Sequence, residues 1–314
     1  MSSHKLRSRD IFSVSGPGGK IPLDLYRDQC YSCSQITLLR GLRSFRKGSV
    51  MFAVIRGAGD IATGIALRLW RSGIWLVMLD LPNPTAIRRT VCFSPAIRYG
   101  KQTVEDVTGL RADSVEDIPG IWAQNCIPVM ADPEGKSIPI LKPDVLVDAI
   151  LAKKNLGTKM TDAPVVIGVG PGFCAGKDCH AVVETMRGHY LGRVILNGEP
   201  IPNTNIPGLI GGYAGERVLR APDDGVFHQL LDIGAMVKAG DVAGTVNGKP
   251  MICTIDGVLR GILPDGTPVF KGMKSGDVDP RCELDHCYCA SDKAIAVGGG
   301  VLQSCLQLTG IFKK

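Results

Sequence analysis

The chain has 314 residues, 45% apolar and 21% charged, with 39 glycines and 20 prolines scattered without period. These values exclude a disordered chain, a coiled coil and a collagen-like fibre, and the length fits two domains or one large domain with an appendage. The net charge of +6 lies wholly in residues 1–50, nine Lys/Arg against three Asp, while the rest balances 27 bases against 27 acids; no basic excess on the body would draw nucleic acid or a membrane.

Residues 1–50 read as a basic, disordered leader. Within it Cys30-Tyr-Ser-Cys33 has the spacing of half a zinc site, with no second half nearby. From Met51 short apolar runs alternate with helical patterns. Phe52–Arg56 reads as a doubly buried strand, Ile61–Ser72 as a helix and Ile74–Leu79 as a second strand. Further strands are expected at 127–131, 145–148, 164–168 and near 193–196, with a helix from about Asp178 to Arg187. Near-continuous apolar strands alternating with helices predict an α/β fold, a doubly wound, Rossmann-like parallel sheet over 51–217. Over 218–280 turn pairs such as Asp224-Gly225, Asn247-Gly248 and Asp265-Gly266 separate short apolar runs, which predicts a small all-β module. Residues 281–314 form a C-terminal segment ending in a helix.

The eleven cysteines accompany no apolar run of signal-peptide or membrane-spanning length. The expectation is a reduced, cytoplasmic protein with free thiols.

Three constellations carry chemistry. The first, Gly57-Ala-Gly59-Asp-Ile-Ala62-Thr-Gly64, lies between a strand and a helix and fits the G-x-G-x-x-A dinucleotide fingerprint. Gly57 allows the turn, Gly59 lets a phosphate approach the backbone, and Ala62 and Gly64 let the helix pack closely. Asp80 ends the second strand, where an acid binds a ribose hydroxyl. Asp60 puts a negative charge beside the phosphate position. The alternative is a turn that needs glycine sterically and binds nothing.

The second constellation runs from Gly168 to His180. Gly170, Gly172 and Gly176 would form a backbone nest, and Lys177 would supply a charge, together an anion cradle. His180 and Glu184 would share a helix face, and Cys179 in the first turn would have a lowered pKa. Cys174, Cys179, His180 and Glu184 are thus the catalytic candidates, against the reading of a plain tight turn. Both glycine loops, Asp132, Asp148 and Lys153-Lys154-Asn155 follow strand carboxyl ends and should converge on one rim.

The third is Cys282, His286, Cys287 and Cys289. Thiolates and imidazole make a soft-metal cluster conceivable, but the spacing matches no standard zinc knuckle, so no metal is assigned.

Val54–Gly64, Arg88-Arg-Thr90, Val147–Lys153, Gly170-Pro-Gly-Phe173, Val183–His189, Ser291-Asp-Lys293 and Gly298-Gly-Gly300 resemble the YqeB-type accessory proteins of selenium-dependent molybdenum hydroxylases. The resemblance covers about residues 51–310. It implies a non-catalytic or weakly catalytic maturation factor acting on a molybdenum hydroxylase client. The α/β crevice would then hold a phosphorylated ligand, a molybdopterin-type cofactor or dinucleotide, with Asp80 or Asp148 orienting sugar or pterin groups. Oligomerisation stays open. Residues 219–280 also resemble a biotinyl/lipoyl-type barrel-sandwich hybrid. Lys249, followed by Pro250 and close to Gly257, is out of register for modification, so neither biotin nor lipoate is expected. The rival reading is an NAD(P)-dependent oxidoreductase using the same fingerprint.

Overall fold

A computed structural model describes residues 51–204 and 208–311; the leader with its Cys30–Cys33 pair lies outside them. The chain opens with β1 (Phe52–Arg56), α1 (Asp60–Arg71) and β2 (Trp75–Asp80). Then come α2 (Pro95–Tyr99), β3 (Lys101–Val104), β4 (Val107–Ala112), α3 (Ile118–Ala123) and β5 (Ile127–Ala131). After α4 (Ile138–Leu141) follow β6 (Val145–Asp148), β7 (Val165–Val169), β8 (Ala181–Val183) and β9 (Val194–Ile195). These nine strands form one sheet in the order β3-β4-β5-β2-β1-β6-β7-β8-β9.

The strands are apolar on both sides because both faces of the sheet are covered. Ala53 and Ile55 of β1 face a core shared with Ile65 and Leu69 of α1. Phe52 and Val54 point the other way, onto Ile118 and Trp122 of α3 and Ile138 and Leu141 of α4. The indole N–H of Trp122, buried there, donates to the Leu76 carbonyl at 3.0 Å, so this large side chain enters the core with its polar atom satisfied.

The second part is built of β10 (Val218–Arg220), β11 (Gly225–Gln229), β12 (Met236–Val237), β13 (Val242–Val246), β14 (Lys249–Ile252), β15 (Gly257–Ile262), β16 (Thr267–Val269) and β17 (Lys274–Asp279). They make two four-stranded sheets, β10-β17-β15-β12 and β14-β13-β11-β16, around a core that includes Phe227, Val246, Leu259 and Val278. Helix α5 (Asp292–Thr309) then returns to the first part. The Ser291 hydroxyl caps it, accepting from the Ala294 N–H at 3.2 Å. Its buried Ala294, Val297, Val301 and Cys305 join the α1 side of the large sheet.

The expectation of a doubly wound, Rossmann-like parallel sheet with a barrel-sandwich-hybrid module is corrected. The large sheet is mixed: β3 pairs antiparallel with β4, and β9 antiparallel with β8. Among the helices connecting its strands only α1 is long, since α2, α3 and α4 span five, six and four residues. One face is completed instead by α5, which comes from beyond the β module. Where a helix was expected from Asp178 to Arg187, the chain makes a tight loop and then β8. The β module is built into the body as well. The Ile262 N–H donates to the Ile87 carbonyl at 2.8 Å, and Arg89 Nε to the Ile262 carbonyl at 2.8 Å.

Candidate functional site

The carboxyl ends of β1, β2, β5 and β6 open into a cleft of about 510 Å³. Strand order reverses between β2-β1 and β6, so the loops after β1 and β6 diverge and leave a crevice there. Gly57, Gly59, Asp60, Ala62, Asp80, Asp132 and Arg56 all line it.

The two glycines of the first loop have different reasons to be glycine. Gly57 has φ +105°, and a Cβ there would lie 2.7 Å from the Ala149 carbonyl oxygen, so the turn itself requires it. Gly59, the N-cap of α1, has φ −75°, and a Cβ there would meet nothing within 4 Å. Neither backbone nor neighbours need a glycine at Gly59; the bare position faces the cleft. No side chain caps this end of α1. The first backbone N–H groups of a helix have no intrahelical partner and favour an anion.

Asp80 reaches the cleft from β2. Burial pushes its carboxyl above the usual range, and backbone N–H donors pull it back. Those donors are Leu81 at 2.7 Å and Ala58 at 2.8 Å, so Asp80 clamps the glycine loop from the side. Asp60, in the first turn of α1, does not face the cleft as a bare negative charge: Arg88 Nη1 pairs with it at 2.8 Å. Arg88 also donates to the His286 carbonyl at 2.9 Å.

Arg56 is the residue that sequence reasoning missed. Its guanidinium is 7% exposed at the end of β1, with Nη1 donating to Thr158 Oγ1 at 2.5 Å and to Asp148 at 3.3 Å. Nη2 reaches the Pro133 carbonyl at 3.3 Å, and Nε is buried without a partner. The available signal was an arginine ending a strand otherwise apolar, directly before Gly57. Asp148, expected to orient a ligand, is 2% exposed and is not part of the cleft lining. It accepts from Arg56, from Thr158 Oγ1 at 2.6 Å and from the Ile150 N–H at 3.2 Å, and so holds Arg56 in place. Asp132 lines the cleft but spends its oxygens on the Lys136 and Ser137 N–H groups, at 2.9 and 2.8 Å.

The second glycine loop does not join this cleft, and it is not the anion cradle expected. From Cys174 to Asp178 its N–H donors are already taken. The Cys174 N–H goes to Asp178 Oδ2, Ala175 to the Gly198 carbonyl and Gly176 to the Cys179 carbonyl. Lys177 and Asp178 both donate to the Cys174 carbonyl. The glycines serve close contacts. A Cβ on Gly170 would strike Thr185, one on Gly172 would strike the Lys154 backbone, and Gly176 has φ +87°. Lys177 is exposed and lines neither this cleft nor its neighbour.

The catalytic candidates separate as well. Cys179 is buried, and burial raises its thiol to about 11, opposite to the lowering expected at a helix N-terminus that does not form. Cys174 is half-buried on the same loop. His180 Nδ1 accepts from the Val166 N–H at 3.0 Å, a structural role. Glu184 is 2% exposed, and its carboxylate accepts from the N–H groups of Thr185, Met186 and Ile201. Of the soft-metal candidates, Cys287 is buried, Cys282 exposed, and His286 Nδ1 stands 4.0 Å from Asp279. Among the described residues no group of three or more His, Cys, Asp or Glu side chains could hold a metal ion.

Beside the cleft lies a smaller cavity of about 220 Å³, lined by Lys153, Thr185, Arg187 and Lys293 among others. Leu151 lines both. No helix among the described residues is long and apolar enough to cross a membrane.

No family model matches the chain. Solved structures similar to it include a succinylglutamate desuccinylase/aspartoacylase from Rhodobacter sphaeroides, 14% identical, covering 74% of this chain and 85% of that one, with a TM-score of 0.23. Another is the ectoine utilization protein EutE (DoeB) from Ruegeria pomeroyi, 13% identical, covering 73% and 86%, with a TM-score of 0.22. A curated protein of Escherichia coli (strain K12) named "Uncharacterized protein YqeB" is 48% identical over 255 residues, 81% of this chain and 47% of that protein. The chain thus spans about half the length of that relative, and most of its own length is similar to it.

Proposed function

We propose that the cleft binds a phosphorylated ligand, of molybdopterin or nucleotide type, in the service of maturing a selenium-dependent molybdenum hydroxylase. The observation that carries the ligand class is Gly59. A glycine with no steric or conformational duty stands at the uncapped N-terminus of α1, beside a buried arginine whose Nε has no partner. That set suits a phosphate: backbone donors and a helix dipole from one side, a guanidinium from the other. Arg88 removes the objection that Asp60 would repel it. A molybdopterin-type group, when bound, would bring the molybdenum ligand chemistry; the chain's own residues would grip its phosphate with Gly59, Ala62 and Arg56 and leave Asp80 to accept from a hydroxyl. The pathway rests on the sequence resemblance.

Calorimetric titration with molybdopterin cytosine dinucleotide and, separately, with NAD(H) tests this. Saturable binding of the former supports the reading. Binding of NAD(H) alone, with hydride transfer to a small substrate, would replace it by a dinucleotide-dependent oxidoreductase. Binding of neither sinks both.

A further inference from the structure

The smaller cavity is cationic, and nothing in the ligand-binding reading so far uses it. Lys153 comes from the loop after β6, Arg187 from the segment after β8, and Lys293 from the first turn of α5. No Asp or Glu lines the cavity. Arg187 is held from outside by Asp292, in a two-pronged pair of 2.6 and 3.1 Å. Lys153 and Lys293 have no ion-pair partner among the described residues. Glu184, the nearest buried acid in sequence, has its carboxylate taken up by three backbone donors. Lys293 is half-buried, and burial together with the Arg187 charge pushes its ammonium below the usual lysine range, with Asp60 and Glu184 drawing it only part of the way back. Thr185, 7% exposed, adds a hydroxyl. Leu151 and Lys153 hold left-handed backbone, φ +60° and +61°, which non-glycine residues adopt only when their surroundings impose it.

A half-buried ammonium without a counter-ion is unfavourable, and an anion placed beside it removes that penalty. The cavity adjoins the main cleft at Leu151. We propose that this cavity is an oxyanion subsite, formed by Lys153, Arg187, Lys293 and Thr185, which takes the distal anionic group of the ligand seated in the main cleft. The ligand is then one charged at two separated points, as a molybdopterin cytosine dinucleotide is through its pyrophosphate and its dithiolene, and as a nucleoside monophosphate is not. This rests on the proposed cleft ligand, but the subsite can be probed without it.

Two measurements are decisive. In the first, intact protein is acylated with an amine-reactive ester in the presence of increasing inorganic pyrophosphate, and each lysine is followed by peptide mass. Lys293 should be protected saturably, while Lys249, an exposed lysine paired with Asp223, should not. Equal labelling of Lys293 with and without pyrophosphate overturns the subsite. The second compares cytidine monophosphate with molybdopterin cytosine dinucleotide on the parent, Lys293→Gln and Gly59→Val. Lys293→Gln should weaken the dinucleotide about ten- to a hundredfold and leave the mononucleotide unchanged. Gly59→Val should weaken both. A dinucleotide that binds Lys293→Gln as tightly as the parent, while Gly59→Val still loses it, overturns the subsite and leaves the cleft reading standing. If neither compound binds the parent, the cleft reading fails, and with it the subsite's role as the distal end of that ligand.

Discussion

At Gly59 a side chain has room to exist, and that makes the position a clean probe. A Cβ there touches nothing, and φ is ordinary, so Gly59→Val should fold normally. Its branched side chain would fill the space where the proposed phosphate would meet the backbone. Binding of the cleft ligand is expected to fall by at least about tenfold with little change in melting temperature; unchanged affinity in titration would make the loop a plain turn. Lys177 gives the opposite case. Because the N–H donors around it, from Cys174 to Asp178, already have acceptors, Lys177→Ala should leave affinity and its salt dependence as they were, and a marked loss would return the second glycine loop to the site. The sequence could show Gly57, Gly59, Ala62 and Asp80 because the fingerprint is local: strand, turn and helix are contiguous. Arg56, Asp148 and Thr158 meet only when β1 and β6 pair, and no spacing rule connects them. Glu184 and His180 read as a helical pair because a short apolar run is compatible with either helix or strand, and β8 won by pairing with β7.

Helices α1 and α5 cross through glycine. A Cβ on Gly64 would lie 2.5 Å from that of Ala294, and, where α5 passes the segment between β8 and β9, one on Gly300 would lie 2.2 Å from the Gly192 carbonyl oxygen. Gly298 meets the Gly64 carbonyl in the same way, whereas Gly299 faces open space. Gly64→Ala should gain about 1 kcal/mol of helix propensity and lose about 1–3 kcal/mol to the clash, a net destabilisation. Gly299→Ala has the gain without the clash and should raise the melting temperature. Thermal melts of both variants check this, and a stabilised Gly64→Ala would show the helices sit farther apart than described. From sequence alone Gly64 was assigned to packing against the sheet and Gly298-Gly-Gly300 to no partner at all, since the contact joins opposite ends of the described chain.

The whole molecule is held by charge as well as by its cores. Arg88, Arg89 and Thr90 reach in turn to Asp60 and His286, to Ile262 and Gln229, and to Cys287, joining the cleft, the β module and the C-terminal segment. Next to them Arg217 and Arg260 pair with Asp277, and Arg260 and Arg281 with Asp279. Burial raises the Asp279 carboxyl, but hydrogen bonds from Arg281 and the charge of Arg260 outweigh it and hold the group at about 2. A folded value below the unfolded one, about 3.9, stabilises the protein above that pH. The contribution, about 2 kcal/mol, should be lost as pH falls from about 4 to about 2. Melting followed across that range should drop more steeply for the parent than for Asp279→Asn; parallel curves would remove Asp279 from the acid transition. Composition showed a body with balanced charge. It could not show that Arg217, Arg260, Asp277 and Asp279 form a buried network beside the junction of two parts of the fold.

The crossing of α1 and α5 has a temporal side. On the ribosome, α1 and its strands emerge early, and the partner that covers their glycine-lined face emerges only after the rest of the sheet and the β module. Until then the Gly64 face of α1, which Ala294 and Gly298 cover in the finished fold, is open to water, or to another nascent chain. Long-range closure of this kind slows folding and prolongs exposure to aggregation. The same late-arriving helix brings Lys293, so the proposed distal subsite is complete only when folding is.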